Sequence, residues 1–406
     1  MIDPSNHAGL TRLRVENYKS IAQAAFPVGD LTILVGPNGA GKSNAVNALA
    51  FVADALSVSL PAAVESRGNV LGLAGSSPAH PNGFALRYDV ALPGNLSGYY
   101  AFSLEAGIDQ PFRVSREECR IFSPDGKIAD EFGVNANGLA RVPGLLRPAR
   151  SNDSLYLTRL SDEEPFRTVF DHLRGLKCYN FSPKNVRPFW PYAPGEVLHN
   201  NGQNLVGAFN ALDEESAARV NEYMAVLVPG LQCISWANRG DQGWLEFHME
   251  AHADKTRRFF LEQMSDGTIR ALAILVALFE HRGHGNRRIP LVAIEEPELG
   301  LHPGAIPVLF DAISEVMDER QVVVTTHSPE LLDAAESSII QSVIPRVHAL
   351  SVELLNGQTV IGSWDEKSLE LLRGKLTTPG ELLRMNQFDI VQYPPANYGD
   401  KPIFEL

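Results

Sequence analysis

Residues 31–43 read LTILVGPNGAGKS, and this stretch decides the fold. An apolar strand runs directly into a glycine-rich turn, and an apolar helical pattern follows from Ser43 to about Leu56. Residues 36–43 match the phosphate-loop pattern G-x-x-x-x-G-K-S in full. Strand, glycine loop and helix in this order are the local structure that such a loop requires. The stretch therefore predicts an α/β fold with a phosphate site where the helix begins.

The residue types of this loop suit the phosphates of a nucleoside triphosphate. Glycines let backbone N–H groups converge on phosphate oxygens, and the positive end of the following helix points at the same anion. Lys42 should reach the β and γ phosphates, and Ser43 should ligate Mg²⁺ through its hydroxyl. We predict ATP and Mg²⁺ as ligands, with nucleotide contacts from Asn38, Gly39, Gly41, Lys42, Ser43 and Asn44.

A second motif, LVAIEEPE at residues 291–298, places two adjacent carboxylates at the end of a buried strand. Open α/β sheets bind ligands at this carboxyl edge, and adjacent residues on a strand point in opposite directions. We predict that Glu295 faces the metal and that Glu296 orients or deprotonates the attacking water. Taken alone, the motif also suits an exposed acidic turn that opens a helix at Pro297.

Two further segments bring polar groups to the predicted site. VVVTTHSP at 322–329 ends an apolar strand in His327, whose imidazole is suited to hydrogen-bond a γ phosphate. QMSDGT at 263–268 opens a long apolar helix, where Ser265 would cap the helix and Gly267 would allow a close approach to an anion. Taken singly, a histidine at a strand end and a capped helix are more often structural than functional.

The composition of the 406-residue chain, 44% hydrophobic and 20% charged, is typical of a globular protein. No apolar run reaches about 18 residues, and the first residues lack the pattern of a signal peptide. We therefore expect a cytoplasmic protein without membrane contact. Three widely spaced cysteines, Cys119, Cys178 and Cys233, form no metal or disulfide pattern, and we expect all three to be buried.

The net charge of −13 argues against a surface coated for nucleic acid, because duplex binding is mostly phosphate neutralisation. Short arginine clusters leave a local basic groove open as an alternative, although solvated surface charge is the commoner explanation. The clusters are Arg141, Arg147 and Arg150, then Arg257 and Arg258, and then Arg287 and Arg288.

The sequence pattern that indicates secondary structure changes several times along the chain. Helical patterns cover 161–176 and 203–227, and from residue 267 helices and strands alternate as in a parallel sheet flanked by helices. We predict an ATPase lobe in three pieces, interrupted by an antiparallel β region and a helical, irregular insertion. The predicted lobe covers 1–60, 256–340 and 341–406, the β region covers 61–140, and the insertion covers 141–255.

Taken together and in this order, the motifs resemble those of the ABC-type ATPase heads of the RecF, SMC and OLD (overcoming lysogenization defect) group. The short stand-alone ATPases often labelled AAA-type are the most similar. The resemblance covers residues 10–56 and 255–335. The matching segments are NYKS at 17–20, Walker A at 36–43, the signature MSDG at 264–267, Walker B with the D-loop at 294–303, and the switch histidine segment THS at 326–328.

The resemblance implies a P-loop ABC-type fold with a parallel sheet core, an antiparallel β subdomain and a helical signature subdomain. It also implies a dimer that sandwiches two ATP molecules, in which Ser265 of one copy faces the phosphate loop of the other. Two positions depart from the pattern: Glu295 replaces the usual metal-binding aspartate, and Asp266 replaces a signature glycine. Asn180 and Gln203 are the candidates for the Q-loop glutamine.

Three functions suit these motifs. The first is an ATP-gated switch that dimerises with ATP and controls a partner effector such as a nuclease or toxin. The resemblance implies a place in bacterial anti-phage defence, since stand-alone heads of this kind commonly sit in bacterial defence or toxin-like modules. The second is a RecF-like clamp on duplex DNA, and the third is an ATP-binding scaffold with little turnover. The acidic charge favours the first function over the second, and the presence of Glu296 and His327 favours hydrolysis over the scaffold. No acidic cluster of the toprim nuclease type follows residue 335, so we expect that the chain is not itself a nuclease.

Overall fold

The computed structural model of the protein divides into two compact units. Unit 1 comprises Met1–Leu176, Val343–Glu370 and Phe388–Leu406, and unit 2 comprises Lys177–Ser342 and Leu371–Gln387. The structure describes residues 8–75, 82–107, 111–135, 138–141, 153–186, 196–239, 242–251, 255–281, 283, 288–340, 347–385, 390–392 and 402–405.

Unit 1 contains a seven-stranded antiparallel sheet with the order β2-β1-β4-β5-β6-β7-β8. Its long strands alternate in the sequence between apolar residues and charged ones, which gives the sheet one face of each kind. The strands are β1 (Gly9–Tyr18), β2 (Ile21–Pro27), β4 (Gly83–Leu92), β5 (Leu96–Glu105), β6 (Arg113–Phe122), β7 (Ile128–Asn135) and β8 (Gly138–Arg141).

The apolar face of this sheet packs against helix α1 (Lys42–Ser57). Phe51 of the helix lies 5.4 Å from Phe84 and 5.9 Å from Phe102, measured between ring centroids. The hydroxyl of Tyr88 on β4 donates to the carbonyl of Ala48 at 2.7 Å, so this polar group of the aromatic layer is satisfied. The helix that follows the phosphate loop is thereby fixed to the sheet.

The opposite face of the sheet carries a network of arginines and carboxylates. Arg14 on β1 and Arg87 on β4 both bond to Asp89, at 3.1 and 2.7 Å. Farther across the sheet, Arg120 on β6 bonds to Glu131 on β7 at 2.9 Å. Side chains directly opposite each other on neighbouring strands share a face, so these pairs form one charged layer.

Unit 1 also holds four strands in the order β17-β16-β15-β3. β15 runs parallel to β3, β16 pairs antiparallel with β15, and β17 pairs antiparallel with β16. β3 is buried along its whole length and delivers the chain to the phosphate loop. The strands are β3 (Leu31–Val35), β15 (Val347–Leu355), β16 (Gln358–Trp364) and β17 (Ile390–Gln392), and the further helices of unit 1 are α2 (Leu60–Glu65), α3 (Val70–Leu73) and α4 (Phe166–Arg174).

Unit 2 contains a parallel set of strands in the order β14-β13-β9 and a separate antiparallel set in the order β10-β11-β12. Helix α8 is apolar beyond its first turn except for Arg270, and this part of it is fully buried. The strands are β9 (Lys177–Tyr179), β10 (Leu231–Arg239), β11 (Gln242–Ala251), β12 (Lys255–Phe260), β13 (Leu291–Glu295) and β14 (Gln321–Thr326). The helices are α5 (Pro183–Val186), α6 (Leu205–Ala211), α7 (Glu214–Leu227), α8 (Asp266–Phe279), α9 (Ile306–Val316), α10 (Pro329–Ile340) and α12 (Pro379–Arg384), and the residues of α11 (Glu366–Arg373) are divided between the units.

Several elements differ from the sequence-based expectations. The expected β region at 61–140 begins with the short helices α2 and α3, and its sheet also takes β1 and β2 from the expected ATPase lobe. The expected helix at 161–176 starts only at Phe166, after Pro165, because proline lacks the N–H that a helix interior needs. The expected helix at 203–227 breaks at Asp213, whose side chain caps α7 by accepting from Ser216 N at 2.8 Å.

The cysteine prediction was wrong for Cys233, which is exposed on β10, and right for Cys119 and Cys178, which are buried. Arg257 and Arg258 lie exposed on β12. Arg147, Arg150 and Arg287 lie outside the described residues, as does the side chain of Arg141. Within the described ranges, no helix joins enough length with enough apolar character to cross a membrane.

Candidate active site

The phosphate loop in unit 1 has the backbone geometry that its glycines predict. Gly39 and Gly41 have φ angles of 80° and 103°, a region that L side chains rarely adopt. A Cβ on Gly41 would lie 2.0 Å from the hydroxyl oxygen of Thr359, and a Cβ on Gly36 would lie 2.0 Å from the carbonyl oxygen of Val352. The loop therefore depends on glycine for its conformation and for its close contact with β15 and β16.

Lys42 folds back into the loop that it terminates. Its ammonium donates to the carbonyl of Gly36 at 2.7 Å and to that of Pro37 at 3.1 Å, and the residue is only 5% exposed. The other predicted phosphate contacts lie around it. Asn38, Gly39 and Ser43 are exposed, and Asn44 is half-buried. The structure thus brings all six predicted residues of this half of the site together.

Three polar side chains, those of Asn44, Ser20 and Thr359, form a hydrogen-bonded chain that supports the phosphate loop. The amide of Asn44 donates to Ser20 Oγ at 2.6 Å, and Ser20 Oγ lies 2.6 Å from Thr359 Oγ1. Thr359 in turn donates to the carbonyl of Ala40 in the loop at 2.8 Å. Ser20 is the last residue of the NYKS segment, which gives that motif a physical role. Thr359 escaped the sequence analysis because it lies more than 300 positions from the loop.

In unit 2, Glu295 is the last residue of β13, and Glu296 leaves the strand geometry. Glu296 has a φ of 44°, and its N–H donates to the carbonyl of Thr325 at 2.9 Å and to its hydroxyl at 3.2 Å. The simple alternation of a strand, which we used to separate the roles of the two carboxylates, therefore ends at Glu295. The left-handed backbone of Glu296 sets the direction of its side chain instead.

The carboxylate of Glu296 and the imidazole of His327 lie together at the ends of neighbouring parallel strands. Their Oε1 and Nδ1 atoms are 3.3 Å apart, and both side chains are partly exposed. Glu298 lies behind them, where one oxygen accepts from the hydroxyl of Thr326 at 2.6 Å and from the N–H of His327 at 3.3 Å. Glu298 belongs to the same motif as the two predicted carboxylates, and it fixes the backbone beneath the histidine.

The predicted signature residues open helix α8 as expected. Ser265 caps the helix by accepting from Thr268 N at 3.2 Å, and it is exposed. A Cβ on Gly267 would lie 2.5 Å from the carbonyl of Gly300, so the helix start packs directly on the segment after Walker B. The close approach expected of Gly267 is therefore made to backbone within unit 2.

Arg270, one turn into α8, is a site residue that the sequence analysis missed. Its guanidinium donates to the carbonyl oxygens of Glu295 at 3.1 Å and Glu296 at 2.8 Å, and also to that of Phe181. Burial lowers the pKa of this guanidinium, and the carboxylates of Glu298, Glu296 and Glu295 partly offset that effect. Arg270 thus ties the signature helix to the backbone that carries both predicted carboxylates.

The two Q-loop candidates have different surroundings. Asn180 is exposed, and its N–H donates to the carbonyl of Asn200 at 2.9 Å. Gln203 makes local bonds instead, from its amide nitrogen to His199 Nδ1 at 3.0 Å and from Asn201 Nδ2 to its amide oxygen at 3.0 Å. Asn180 follows β9 directly and precedes Phe181, whose carbonyl accepts from Arg270.

The profile of the AAA_21 family, described as "AAA domain, putative AbiEii toxin, Type IV TA system", matches residues 31–81 and 145–333. The chain belongs to this family. The matched ranges contain the phosphate loop, the start of α8, the two Walker B carboxylates and His327. This AAA_21 protein is accordingly a P-loop ATPase-family protein of the ABC-type SMC and OLD group, as its motifs predicted.

Two curated proteins that are similar to this chain are named nucleases. It is 24% identical to the OLD nuclease of Thermus scotoductus over 344 residues, which cover 80% of this chain and 60% of the relative. It is 22% identical to the Old nuclease of Escherichia phage P2 over 373 residues, which cover 81% and 58% of the two chains. The chain thus spans about 60% of the length of these relatives.

The fold of this AAA_21 protein matches a solved SMC head, described as bound to the C-winged helix domain of ScpA. The TM-score is 0.50 at 17% sequence identity, and the match covers 89% of this chain and 99% of the SMC head. The predicted fold class, with a parallel core and antiparallel sheets, is confirmed.

Proposed function

We propose that this chain is an ATP-hydrolysing molecular switch that forms an ATP-sandwich dimer and controls a partner protein. The observation that carries this proposal is the contact of 3.3 Å between Glu296 and His327 at the carboxyl ends of β13 and β14. A carboxylate beside an imidazole at this edge of a sheet is suited to general-base chemistry on a water molecule. A chain that only bound nucleotide would not need such a pair.

The residues present fit ATP with Mg²⁺. Gly36 and Gly41 let the loop pack closely on β15 and β16, and Lys42 and Ser43 stand where a helix begins. Lys42 would bind the β and γ phosphates, Ser43 would bind the cation, and Glu295 would contact its water shell. Bound Mg²⁺ supplies neutralisation of phosphate charge.

The other residues of the proposed site act on water and phosphate. Glu296 would accept a proton from the attacking water, and its fixed backbone, with both Thr325 and Arg270 bonded to it, would hold it in position. His327 would donate a hydrogen bond to the γ phosphate. Ser265, exposed at the start of α8, would meet the phosphates bound to a second copy.

The nature of the proposed partner rests on the relatives. Two relatives are named nucleases, and the family description includes a toxin. We expect the partner to be a nuclease or toxin effector, and we place the switch in bacterial anti-phage defence. Clamping of duplex DNA, as in RecF, is the alternative that a measurement must separate from this one.

Phosphate release from ATP tests the proposal directly. Glu296→Gln keeps the shape of the side chain but removes the base, so the rate should fall about 100-fold or more while ATP still binds. Lys42→Ala should instead abolish ATP binding in calorimetry, because it removes the cation that pairs with the phosphates. Glu214→Gln, on the exposed start of α7, serves as a control with wild-type turnover. A wild-type rate for Glu296→Gln, or no turnover by the wild-type chain, would contradict the hydrolytic switch.

A further inference from the structure

The buried carboxylate of Glu298 lies next to the two side chains proposed to act on water and phosphate, Glu296 and His327. We infer that Glu298 is a positioning residue for the proposed hydrolysis: it accepts the Nδ1–H of His327, so that Glu296 can turn to the attacking water. This inference rests on the proposed function, in which the side chain of Glu298 has no part, and adds a third side chain to it.

The two oxygens of Glu298 have different surroundings. Oε1 accepts from the hydroxyl of Thr326 at 2.6 Å and from the N–H of His327 at 3.3 Å. Oε2 is buried and has no hydrogen-bond partner within the part of the chain that the structure describes. A buried carboxylate oxygen without a donor is costly, because it has lost its hydration without compensation. Its presence beside the proposed base therefore calls for a reason other than folding.

The imidazole of His327 lies between two carboxylates, and its Nδ1 atom is close to both. Nδ1 is 3.3 Å from Oε1 of Glu296 and 3.9 Å from Oε1 of Glu298. Nδ1 is itself buried and makes no hydrogen bond to any residue in the described ranges. A single N–H is donated well to only one acceptor at a time. A small rotation of the ring therefore decides which of the two carboxylates holds it.

The exposure of the two carboxylates assigns their roles. The side chain of Glu296 is 27% exposed, whereas that of Glu298 is 6% exposed, so water reaches the first far more readily than the second. A base that stays bonded to an imidazole N–H is a poorer proton acceptor, because the bond stabilises its charged form. Transfer of the ring to Glu298 removes this competition. A bond at Nδ1 also fixes the direction of Nε2, the ring atom that would meet the γ phosphate.

A nearby cation compensates for the buried carboxylate. Burial lowers the pKa of the Arg270 guanidinium, and Glu298 is the carboxylate that opposes this effect most strongly. Arg270 is held in place by its bonds to the carbonyls of Glu295 and Glu296. Glu298 thus has a fixed positive charge as its neighbour, and a carboxylate is the acceptor that binds an imidazole N–H best.

Single-turnover phosphate release, with the protein in excess over ATP, tests the role of Glu298. Glu298→Gln keeps one oxygen that can accept from Thr326 but replaces the other with an NH₂ donor, which cannot accept from Nδ1. The rate should fall about tenfold, while the Kd for ATP in calorimetry stays within about twofold. Glu330→Gln is the matched control with a wild-type rate, since Glu330 belongs to the next helix and bonds to Ser328 and Arg384 instead.

A double-mutant cycle with His327→Ala separates positioning from a general structural role. In the His327→Ala background, Glu298→Gln should change the rate less than about twofold, because the ring through which Glu298 acts is gone. A similar loss in both backgrounds, or no loss in the wild-type background, overturns the inference. If Glu298→Gln does not fold, as judged by circular dichroism, Thr326→Val takes its place in the cycle. That variant removes the hydroxyl bond that fixes Oε1, and the same outcomes decide.

The cycle also separates this inference from the proposed function. Suppose that the wild-type chain hydrolyses ATP, that Glu296→Gln does not, and that the losses from the Glu298 and His327 variants simply add. The hydrolytic switch would then stand, and only the role of Glu298 would be overturned. No hydrolysis by the wild-type chain would overturn both.

Discussion

At the scale of the residue, Arg270 is the side chain whose position has the clearest consequence for turnover. Its planar guanidinium spans three carbonyl groups, and a lysine ammonium has neither the shape nor the number of donors to do so. Arg270→Lys should lower the rate of ATP hydrolysis about tenfold, because Glu296 loses a backbone anchor, while ATP affinity stays within about twofold.

Steady-state phosphate release and calorimetry measure these two quantities for Arg270→Lys. Arg219→Lys on α7 is the matched control, since Arg219 also bonds to acidic side chains but on an outer helix. Equal losses of rate and affinity in the Arg270 variant would indicate a general structural role and contradict the positioning role.

Glu280, at the end of α8, is a buried carboxyl whose protonation should make the stability of the protein depend on pH. Burial raises the pKa of its carboxyl to about 7, while hydrogen bonds from Leu198 N and Tyr179 oppose the shift. A carboxyl with a raised folded-state pKa contributes stability below its unfolded pKa, and this contribution is lost as the pH rises through 7. The contribution of Glu280 to the free energy of unfolding of the wild-type protein should therefore fall as the pH rises from 5 to 8.

Glu280→Gln stays neutral over that range. The melting temperature of this variant relative to wild type should be higher at pH 8 than at pH 5. The change in relative stability between the two pH values should correspond to at most about 3 kcal/mol in the free energy of unfolding. Thermal unfolding followed by circular dichroism at both values measures it, with the exposed Glu214→Gln as reference. An identical difference at the two pH values would show that Glu280 does not titrate in this window.

At the scale of the element, the hairpin of β15 and β16 supports the phosphate loop through Thr359, which is 2% exposed. Thr359→Val keeps the volume but removes the hydroxyl that bonds to Ala40 and Ser20. Loss of a buried hydrogen-bond partner costs about 1–2 kcal/mol, so ATP affinity should weaken up to about tenfold and the melting temperature should fall.

Calorimetry with ATP measures the first of these effects. Thr256→Val, on the exposed part of β12 in unit 2, is a matched control that should leave affinity unchanged. Unchanged affinity in the Thr359 variant would show that the loop keeps its shape without the hairpin.

Local patterns predicted those elements whose neighbours lie close in the sequence. β3 with α1, and the alternating elements from α8 to α10, followed from strand runs, the glycine loop and helix periodicity. The helix start at Phe166 and the break at Asp213 were missed because apolar periodicity continues across both points. Pro165 precedes the first point, and the side chain of Asp213 caps a new helix at the second. β1 joins the antiparallel sheet by pairing with β4, and β2 joins it by pairing with β1; the first of these pairings is encoded by no local pattern.

The residues of the candidate site likewise divide into those that a local pattern predicts and those that it does not. Lys42, Glu296 and His327 were predictable because each belongs to a contiguous motif with a chemical reason for its spacing. Thr359 and Arg270 were not, since each acts on a backbone carbonyl that lies far away along the chain. Carbonyl oxygens occur in every residue, so a sequence gives no signal for such a contact.

At the scale of the whole molecule, the proposed switch makes a prediction about assembly. Glu296→Gln should trap ATP, so light scattering should show a doubled mass with ATP and not without it. Lys42→Ala in the same background is the control, which should remain ATP-insensitive. An ATP-independent mass in the Glu296 variant would contradict a nucleotide-gated interface.

The same trapped sample separates the switch from the DNA clamp. With a net charge of −13, we expect duplex binding weaker than about micromolar at physiological salt, falling further as salt rises. Fluorescence anisotropy with a short duplex at two salt concentrations measures this. Submicromolar, ATP-dependent binding that is lost on charge reversal of Arg141, Arg147 and Arg150 would make the clamp the better account.

The left-handed backbone of Glu296 has a consequence for attempts to stabilise this protein. A residue other than glycine or asparagine at a φ of 44° costs on the order of 1 kcal/mol, and glycine would avoid this cost. Design procedures that rank substitutions by backbone conformational energy will therefore select glycine at this position, and this choice removes the proposed base. Thermal stability and the proposed hydrolysis therefore place opposite demands on this position, and an engineered version must accept the strain there to keep the proposed base.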